Sequence, residues 1–246
     1  GIATSQAGAA MNVAAIMPCR GRPQQTARNV QRLLATAGLT HGVEWQLHLV
    51  GGADEAAMLA QIASQTAGAT GHSIIIGTSA APRLTYWQAM ALGTMDAQAP
   101  LICNLANDLL PGQHWLQRGL EAYQAVFGPN DGLLGFNDGH HRVDHACHFL
   151  ISRALLDSFG GWPVWYDHNY GDTELCARAQ AQGRYAKAPW AVLYHDHPYF
   201  GGADDATYAE GRTHLDRDGR LFNERRRAGW PAIFEHHRAH ARRRRP

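Results

Sequence analysis

Short apolar runs of strand length alternate with amphipathic segments of helical length through the first half of the chain. The predicted strands are residues 13–17, 45–50, 73–76 and 101–105, and the predicted helices between them are residues 23–34, 54–65 and 85–97. We expect Asp54 to cap the second of these helices. Strands that alternate with helices of about a dozen residues build a parallel sheet with helices on both faces. The pattern therefore predicts an α/β fold of the Rossmann-like, nucleotide-binding type.

The second half of the chain departs from this alternation. Its predicted elements are a helix at 115–127, a loop at 128–148, a strand at 147–151, a short helix at 154–159, an aromatic loop at 160–171, a helix at 172–182 and a strand at 191–194. From residue 204 the sequence predicts polar helices. We therefore expect a flexible leader at 1–11, an α/β domain at 12–200 and a helical extension with an arginine-rich tail at 201–246.

Composition and cysteine spacing narrow the class of protein. No apolar run approaches the roughly 20 residues that span a bilayer, and the first residues lack a basic stretch followed by an apolar one. The four cysteines are far apart and form no CxxC pair. These features predict a cytoplasmic protein with reduced, buried thiols and no membrane span.

Positive charge is concentrated at the end of the chain. Residues 221–246 hold eight arginines against Glu224 and Glu235, although the net charge of the whole chain is only +1. Such a run is typical of a solvated terminus, and it also favours contact with nucleic acid. The sequence leaves both interpretations open.

An apolar strand runs directly into Asn107 and Asp108, which a Pro-Gly turn follows. A strand that ends in a carboxylate delivers it to the sheet edge where open α/β folds bind ligands. The loops at 18–22, 81–88 and 195–197 are expected at the same edge, where they add arginines and imidazoles. Asp108 with His195 or His197 would form a mixed oxygen and nitrogen ligand set, which suits Mn²⁺ better than Mg²⁺. The alternative is an ordinary polar turn.

Five ordered motifs resemble a known family: PCRGRP, RLTYWQA, NLANDLLP, YGDTELCARA and YHDHP. Their order resembles that of inverting, family 2-like glycosyltransferases of the GT-A fold, which use nucleotide sugars. The segments DATYAEG and DRDGRLFNERRRAGW are similar to the C-terminal part of compact bacteriophage-type members. The resemblance implies a GT-A-like, mixed, mainly parallel sheet, with a nucleotide-sugar half at 12–108 and an acceptor half at 109–200.

The resemblance also implies roles for individual residues. The donor-binding residues would be Pro18, Arg20, Arg22, Arg83, Gln88 and Asn107. Asn107 stands where the family usually has a first acidic residue, so Asp108 becomes the principal metal ligand. A histidine after the last strand would complete the metal site, and His195 matches it by position, with His197 as the alternate.

Asp172 resembles the family's catalytic base, which takes the proton from the acceptor hydroxyl. The same segment is typical of a helix N-terminus, so Asp172 could instead be a capping residue. Asp138 is the next candidate for the base. Asp138, Trp165, Tyr166 and Tyr170 are the expected acceptor-binding residues.

Histidines 140, 141, 145 and 148 form a cluster in the sequence. No cysteine accompanies them at a spacing known from zinc sites. We therefore interpret His140, His141, His145 and His148 as solvent-exposed side chains or as contacts to donor or acceptor, rather than as a dedicated zinc site.

Taken together, the resemblance implies a metal-dependent, inverting glycosyltransferase that uses Mn²⁺ or Mg²⁺ and a nucleoside-diphosphate sugar, with UDP as the expected nucleotide. The bacteriophage-type resemblance and the basic tail favour a hydroxymethylated or hypermodified base in DNA as acceptor, which would have to be flipped out of the duplex. Cell-envelope or protein-linked glycans are the alternative acceptors. A nucleotidyltransferase and a non-catalytic DNA-binding module are the competing classes, and the oligomeric state is left open.

Overall fold

A mixed sheet of eight strands organises the fold. The computed structural model describes residues 12–39, 43–66, 72–140 and 144–231, so the predicted leader and most of the arginine-rich tail lie outside the described residues. The strands are β1 Val13–Pro18, β2 Trp45–Gly51, β3 His72–Thr78, β4 Leu101–Asn104, β5 Leu109–Pro111, β6 Leu133–Asn137, β7 Phe149–Ser152 and β8 Tyr185–His195. The helices are α1 Pro23–Thr36, α2 Ala56–Thr66, α3 Tyr86–Asp96, α4 Trp115–Phe127, α5 Arg153–Ser158, α6 Gly171–Ala181, α7 Ala206–Thr213 and α8 Leu215–Arg227.

The strand order across the sheet is β3-β2-β1-β4-β7-β6-β8-β5. The first four strands in this order are mutually parallel. β7 runs antiparallel to both β4 and β6, β6 and β8 are parallel, and β5 pairs antiparallel with β8. The expected mixed, mainly parallel sheet is therefore confirmed.

Buried side chains pack on both faces of this sheet. Along β1, Val13, Ala15 and Met17 contribute to a core that includes side chains of α1, α2 and α4. The alternate residues Ala14 and Ile16 pack in a second core with α3, α5 and α6. Successive side chains of a strand point to opposite faces, so one short apolar strand supplies both cores. Helices on both faces are thus confirmed, and none of the described helices is long and apolar enough to cross a membrane.

Two predictions about local structure are wrong. The predicted loop at 128–148 contains the buried strand β6, where a Cβ on Gly135 would lie 2.5 Å from Cβ of Ala146. Glycine is needed for this close approach, and it also breaks the apolar pattern of the strand. Asp54 does not cap α2, because it lies inside a 3₁₀ turn at Ala53–Glu55. The N–H of Gly52 at the start of that turn donates to Glu55 Oε2 at 3.0 Å.

The C-terminal helices form as predicted, and they are anchored to the domain by buried charge. Arg225 of α8 donates from Nε and Nη2 to the two carboxylate oxygens of Glu174 in α6, at 2.8 and 2.7 Å. The buried carboxylate of Asp218 accepts the backbone N–H groups of Asp167, His168 and Asn169. The extension therefore holds the aromatic loop that precedes Asp172.

Replacing Arg225 with alanine is expected to lower the free energy of unfolding by about 3 kcal/mol, because the buried Glu174 carboxylate would lose its two-point ion pair and keep only Arg178 at 3.4 Å and the Tyr166 hydroxyl. The measurement is urea unfolding followed by circular dichroism. Arg226→Ala is the matched control, since Arg226 is exposed on the same helix. Equal, small losses in the two variants would show that the buried pair does not anchor the extension.

Candidate functional site

A cavity of about 380 Å³ opens at the carboxyl ends of β1, β2 and β4. The structure brings all four predicted loops to this cavity. Their lining residues are Pro18, Cys19, Arg20, Arg22, Leu84, Thr85, Tyr86, Trp87, Asn107, Asp108, His195 and His197. The segment 145–148, the loop 167–170, the start of α6 and the helix α7 contribute further parts of the wall. The cavity therefore lies at the sheet edge that the strand pattern predicts for a ligand.

Asp108 lies in the wall of the cavity with only 6% of its surface exposed. Its Oδ2 accepts the hydroxyl of Tyr208 at 2.7 Å and lies 3.5 Å from both Arg22 Nη1 and His195 Nε2. Its Oδ1 is buried and has no hydrogen-bond partner among the described residues. A buried charged oxygen without a partner is costly, so this atom is suited to bind a cation.

The charge state of Asp108 follows from these neighbours. Burial alone would raise the pKa of Asp108, but the hydrogen bond and charge of His195, the Tyr208 hydroxyl and the Arg22 guanidinium outweigh it. The pKa of Asp108 therefore lies well below its usual range. The carboxylate is ionised at neutral pH, as a hard-metal ligand must be.

Three imidazoles gather beside Asp108. The ring of His195 lies 5.2 Å from that of His148 and 5.1 Å from that of His197. Burial would lower the pKa of His195, but the neighbouring Asp108 carboxylate, with Cys147 as a lesser cause, raises it to about 10. Burial and the charge of His195 lower the pKa values of His148 and His197 to about 4. His195 Nδ1 is buried without a hydrogen-bond partner among the described residues, so Asp108 and His195 offer one oxygen and one nitrogen donor for a metal.

The two arginines of the PCRGRP loop are held by residues of the C-terminal extension. Arg22 donates from Nε and Nη2 to Asp205 at 2.6 and 2.8 Å, and its guanidinium stacks 3.9 Å from the ring centre of Tyr208. Arg20 pairs with Glu210. Asp205, Tyr208 and Glu210 all lie in the DATYAEG segment, whose resemblance implies no contact with this loop; the three residues meet it only in the folded chain.

Of the remaining expected donor-binding residues, Asn107 lines the cavity and Arg83 and Gln88 do not. Asn107 Nδ2 donates to Thr26 Oγ1 at 3.0 Å, while its Oδ1 accepts from Arg22 at 3.4 Å. Arg83 does not line the cavity; it is 62% exposed, with Nη1 4.0 Å from Glu210. Gln88 does not line the cavity. Its Oε1 accepts the N–H of Thr85 at 3.0 Å and completes a capping box at the start of α3.

Asp172 lines the same cavity from the first turn of α6. The N-cap of this helix is Tyr170, which has a left-handed backbone (φ 68°), so Asp172 is not the N-cap. Its Oδ1 accepts the N–H of Thr173 at 2.8 Å, and its Oδ2 lies 3.5 Å from His145 Nε2. Burial would raise the pKa of Asp172, but the His145 hydrogen bond and charge lower it to about 2. Asp172 is therefore ionised, with Oδ2 on the side of His145.

A close packing contact fixes the start of α6. A Cβ on Gly171 would lie 2.2 Å from the indole ring of Trp87. Trp87 Nε1 also donates to the carbonyl of His168 at 3.2 Å. Only glycine permits this approach, which places Asp172 next to the wall formed by α3.

Of the four expected acceptor residues, only Tyr170 lines the cavity. Tyr166 is buried and donates from its hydroxyl to Glu174 at 2.8 Å. The ring of Trp165 lies 3.8 Å beneath the guanidinium of Arg225. Asp138 is fully buried, 3.7 Å from Lys187, and accepts the N–H of His140 at 3.0 Å. Asp138, Trp165 and Tyr166 therefore lie outside the lining of this cavity.

The histidine cluster is more buried than its sequence indicates. His148 is 3% exposed and His145 is half-buried, so the expectation of solvent-exposed imidazoles is wrong for both. Both line the cavity, together with Cys147 and His168, which sequence reasoning missed. His140 is half-buried, and His141 lies outside the described residues.

No known family model matches the sequence, and no curated protein matches it. Solved structures do match the fold. The chain has the GT-A fold. A mannosyltransferase from Pyrobaculum calidifontis, in complex with GDP-Man and Mn²⁺, aligns with a TM-score of 0.60 and 15% identity over 77% of this chain and 58% of its own. TarS from S. aureus aligns with a TM-score of 0.56 and 11% identity over 75% of this chain and 60% of its own.

A third GT-A match is a variant of Drosophila β-1,4-galactosyltransferase 7, in complex with manganese, UDP-Gal and xylobiose. It aligns with a TM-score of 0.50 and 15% identity over 82% of this chain and 79% of its own. This chain spans about three fifths of the length of the first two proteins. At these identities the matches show the GT-A fold, and residue roles must be argued from the cavity itself.

Proposed function

We propose that the protein is a metal-dependent glycosyltransferase, which moves a sugar from a nucleoside-diphosphate sugar to a hydroxyl group. The observation that carries this proposal is that two ionised carboxylates, Asp108 and Asp172, line one cavity at the ligand-binding edge of a GT-A fold. Two structures with this fold contain a nucleotide sugar with manganese, which supports the same ligands here.

Asp108 and His195 would hold Mn²⁺ (or Mg²⁺), with His197 as the alternative nitrogen donor. When bound, the ion neutralises the charge of the departing diphosphate. Arg20 and Arg22 lie in the same wall and add positive charge beside Asn107 and Pro18. We expect a UDP-sugar, and GDP is the alternative nucleotide.

Asp172 would act as the base. Its Oδ2 accepts the proton of the acceptor hydroxyl while that oxygen bonds to the anomeric carbon and the bond from this carbon to the diphosphate breaks. A single displacement inverts the configuration. The acidity of the hydroxyl rises as its new bond forms, so a carboxylate of low basicity can take the proton at that stage. Tyr170, at the cavity wall beside Asp172, would contact the acceptor.

The direct test is to incubate the protein with a panel of nucleotide sugars, with Mn²⁺ or with a chelator, and to measure release of nucleoside diphosphate. We expect one sugar nucleotide to be consumed only when the metal is present. Pyrophosphate release from a nucleoside triphosphate would instead indicate a nucleotidyltransferase. DNA binding without any nucleotide binding would indicate a non-catalytic module.

For the acceptor, we propose a hydroxymethylated base in DNA, supported by the eight arginines in residues 221–246. The test compares sugar transfer to hydroxymethylated DNA, to unmodified DNA and to glycan acceptors. A steep fall in DNA affinity with salt would support phosphate contacts. Transfer to glycans alone would overturn this choice. We also propose a cytoplasmic location, since all four cysteines are described and none forms a disulfide.

The affinity for Mn²⁺ is expected to rise with pH. A pKa of about 10 keeps His195 protonated at neutral pH, so the metal must displace one proton from this ring. The apparent Kd should fall about tenfold for each pH unit between roughly pH 6.5 and 8. Titration calorimetry in matched buffers measures this slope. If His197 is the ligand instead, its pKa of about 4 predicts an affinity that is independent of pH in this range.

A further inference from the structure

Three side chains of different chemistry converge in the wall of the cavity on the side of α6. His145 Nε2 lies 3.5 Å from Asp172 Oδ2 and 3.8 Å from Cys147 Sγ. One ligand atom from each of the three residues lies within 4.8 Å of the other two. We propose that His145, Cys147 and Asp172 form a second metal site, which binds a thiophilic divalent cation such as Zn²⁺.

Two of the three ligand-to-ligand distances are close to those of a tetrahedral zinc site. Zinc bonds of about 2.0–2.1 Å to nitrogen, 2.0–2.2 Å to oxygen and 2.3 Å to sulfur place tetrahedral ligands about 3.4–3.6 Å apart. The nitrogen to oxygen distance of 3.5 Å already agrees, and the nitrogen to sulfur distance of 3.8 Å is only slightly longer. The sulfur to oxygen distance is at most 4.8 Å, so the three ligands would close around an ion by contracting together.

The backbone that presents these ligands is held from two sides. Lys187 Nζ of β8 donates to the carbonyl of His145 at 2.8 Å, and Cys176 Sγ of α6 donates to the carbonyl of Ala146 at 3.5 Å. The N–H of Thr173 fixes the other oxygen of Asp172. A site whose ligands are already oriented loses little conformational entropy when the ion binds.

The ligand types separate this site from the one at Asp108. A thiolate with an imidazole and a carboxylate selects zinc-like cations over Mn²⁺ and Mg²⁺, which prefer oxygen donors. Three protein ligands leave a fourth position, and all three residues line the cavity, so that position is open to it. The cavity would thus bind Mn²⁺ or Mg²⁺ at Asp108 and a zinc-like cation at His145, Cys147 and Asp172.

Zinc at this site would inhibit sugar transfer, a consequence that rests on the proposed function. Thr173 donates to Asp172 Oδ1 from both its N–H and its hydroxyl, whereas Oδ2 has the longer 3.5 Å contact with His145, so Oδ2 is the oxygen better placed to accept a proton. A metal bound to Oδ2 occupies the lone pair that would accept the proton of the acceptor hydroxyl. Inhibition should therefore be relieved by more acceptor and not by more Mn²⁺.

The site itself is tested without any activity assay, by titrating the reduced full-length protein with Co²⁺ in excess Mg²⁺. We expect one equivalent of Co²⁺ to give a thiolate-to-cobalt absorption band, and Zn²⁺ to abolish it. Cys147→Ala should remove the band, whereas Cys103→Ala, a buried cysteine of β4, should retain it. A wild-type protein without the band, or a band that persists in Cys147→Ala, would overturn the proposal.

The inhibition is tested separately, by the ratio of transfer rates with and without zinc in each protein. The zinc concentration for half-inhibition should rise at least tenfold in Cys147→Ala and stay unchanged in Cys103→Ala. Relief by Mn²⁺ rather than by acceptor would contradict inhibition at Asp172. If no sugar transfer is found at all, the proposed function fails, and the cobalt spectrum still decides whether the metal site exists.

Discussion

Replacing Asp108 with asparagine is expected to lower kcat/KM for sugar transfer by about 10²–10³-fold, even at saturating Mn²⁺. Asparagine keeps the shape of the side chain but removes its negative charge. The oxygen that now lies unpartnered in the cavity wall would become part of a neutral amide, which binds a divalent cation weakly. Arg22 and His195 would also lose the anion that they face. Initial rates and calorimetric Mn²⁺ binding measure the two effects.

Asp157→Asn is the matched control, because Asp157 is an exposed carboxylate that does not line the cavity. It should leave both the rate and the Mn²⁺ affinity unchanged. Circular dichroism and the unfolding temperature establish that Asp108→Asn still folds. An Asp108→Asn protein with wild-type activity and unchanged metal dependence would exclude Asp108 as the metal ligand.

The parts of the fold that the sequence predicts well are those specified by local pattern. β1 and β2 are apolar runs bounded by turn residues, and each is followed by an amphipathic helix. The sequence pattern does not predict β6, because Gly135 interrupts its short apolar run within a segment rich in loop residues. β8 extends over Tyr185–His195, whereas only its apolar end was predicted, since its first half includes the exposed Trp190 and alternates less clearly.

In the candidate site too, residues at the ends of strands and helices can be predicted from the sequence, whereas residues brought in by tertiary packing cannot. Asp108 and Asp172 stand at element ends, where strand and helix patterns reveal them. The partners of Asp108 and Arg22 cannot be found in this way, because Tyr208 and Asp205 are brought there by the packing of α7. Trp165 is expected from the sequence to bind the acceptor, but its ring packs beneath Arg225. That contact forms only in the folded chain.

The extension at α7 and α8 is consequently part of the candidate site rather than an appendage. α7 contributes the hydroxyl that binds Asp108, while α8 holds the backbone of the loop before Asp172 through Asp218. Both ionised carboxylates of the cavity thus depend on the last described helices for their surroundings. Loss of this segment would disturb the surroundings of Asp108 and Asp172, the proposed metal ligand and base, together.

Replacing Asp172 with asparagine is expected to lower kcat for sugar transfer by about 10²–10⁴-fold, the range that general-base catalysis contributes. The Kd values for nucleotide sugar and Mn²⁺ should change little, because Asp108, Arg22 and His195 would remain. An amide cannot accept the acceptor's proton, although its oxygen can still accept the N–H of Thr173. Asp144→Asn is the control, since Asp144 is exposed and precedes the same histidine.

The pH dependence of kcat gives an independent check on this role. The pKa of Asp172 is lowered to about 2, so the base stays ionised as the pH falls from 8 to 5, and kcat at saturating Mn²⁺ should remain flat. A base with a raised pKa would instead lose activity across that range as it took up a proton. A wild-type kcat in Asp172→Asn, or a loss confined to donor binding, would show that Asp172 is not the base. The His145 imidazole that lowers this pKa would then serve only to position the start of α6.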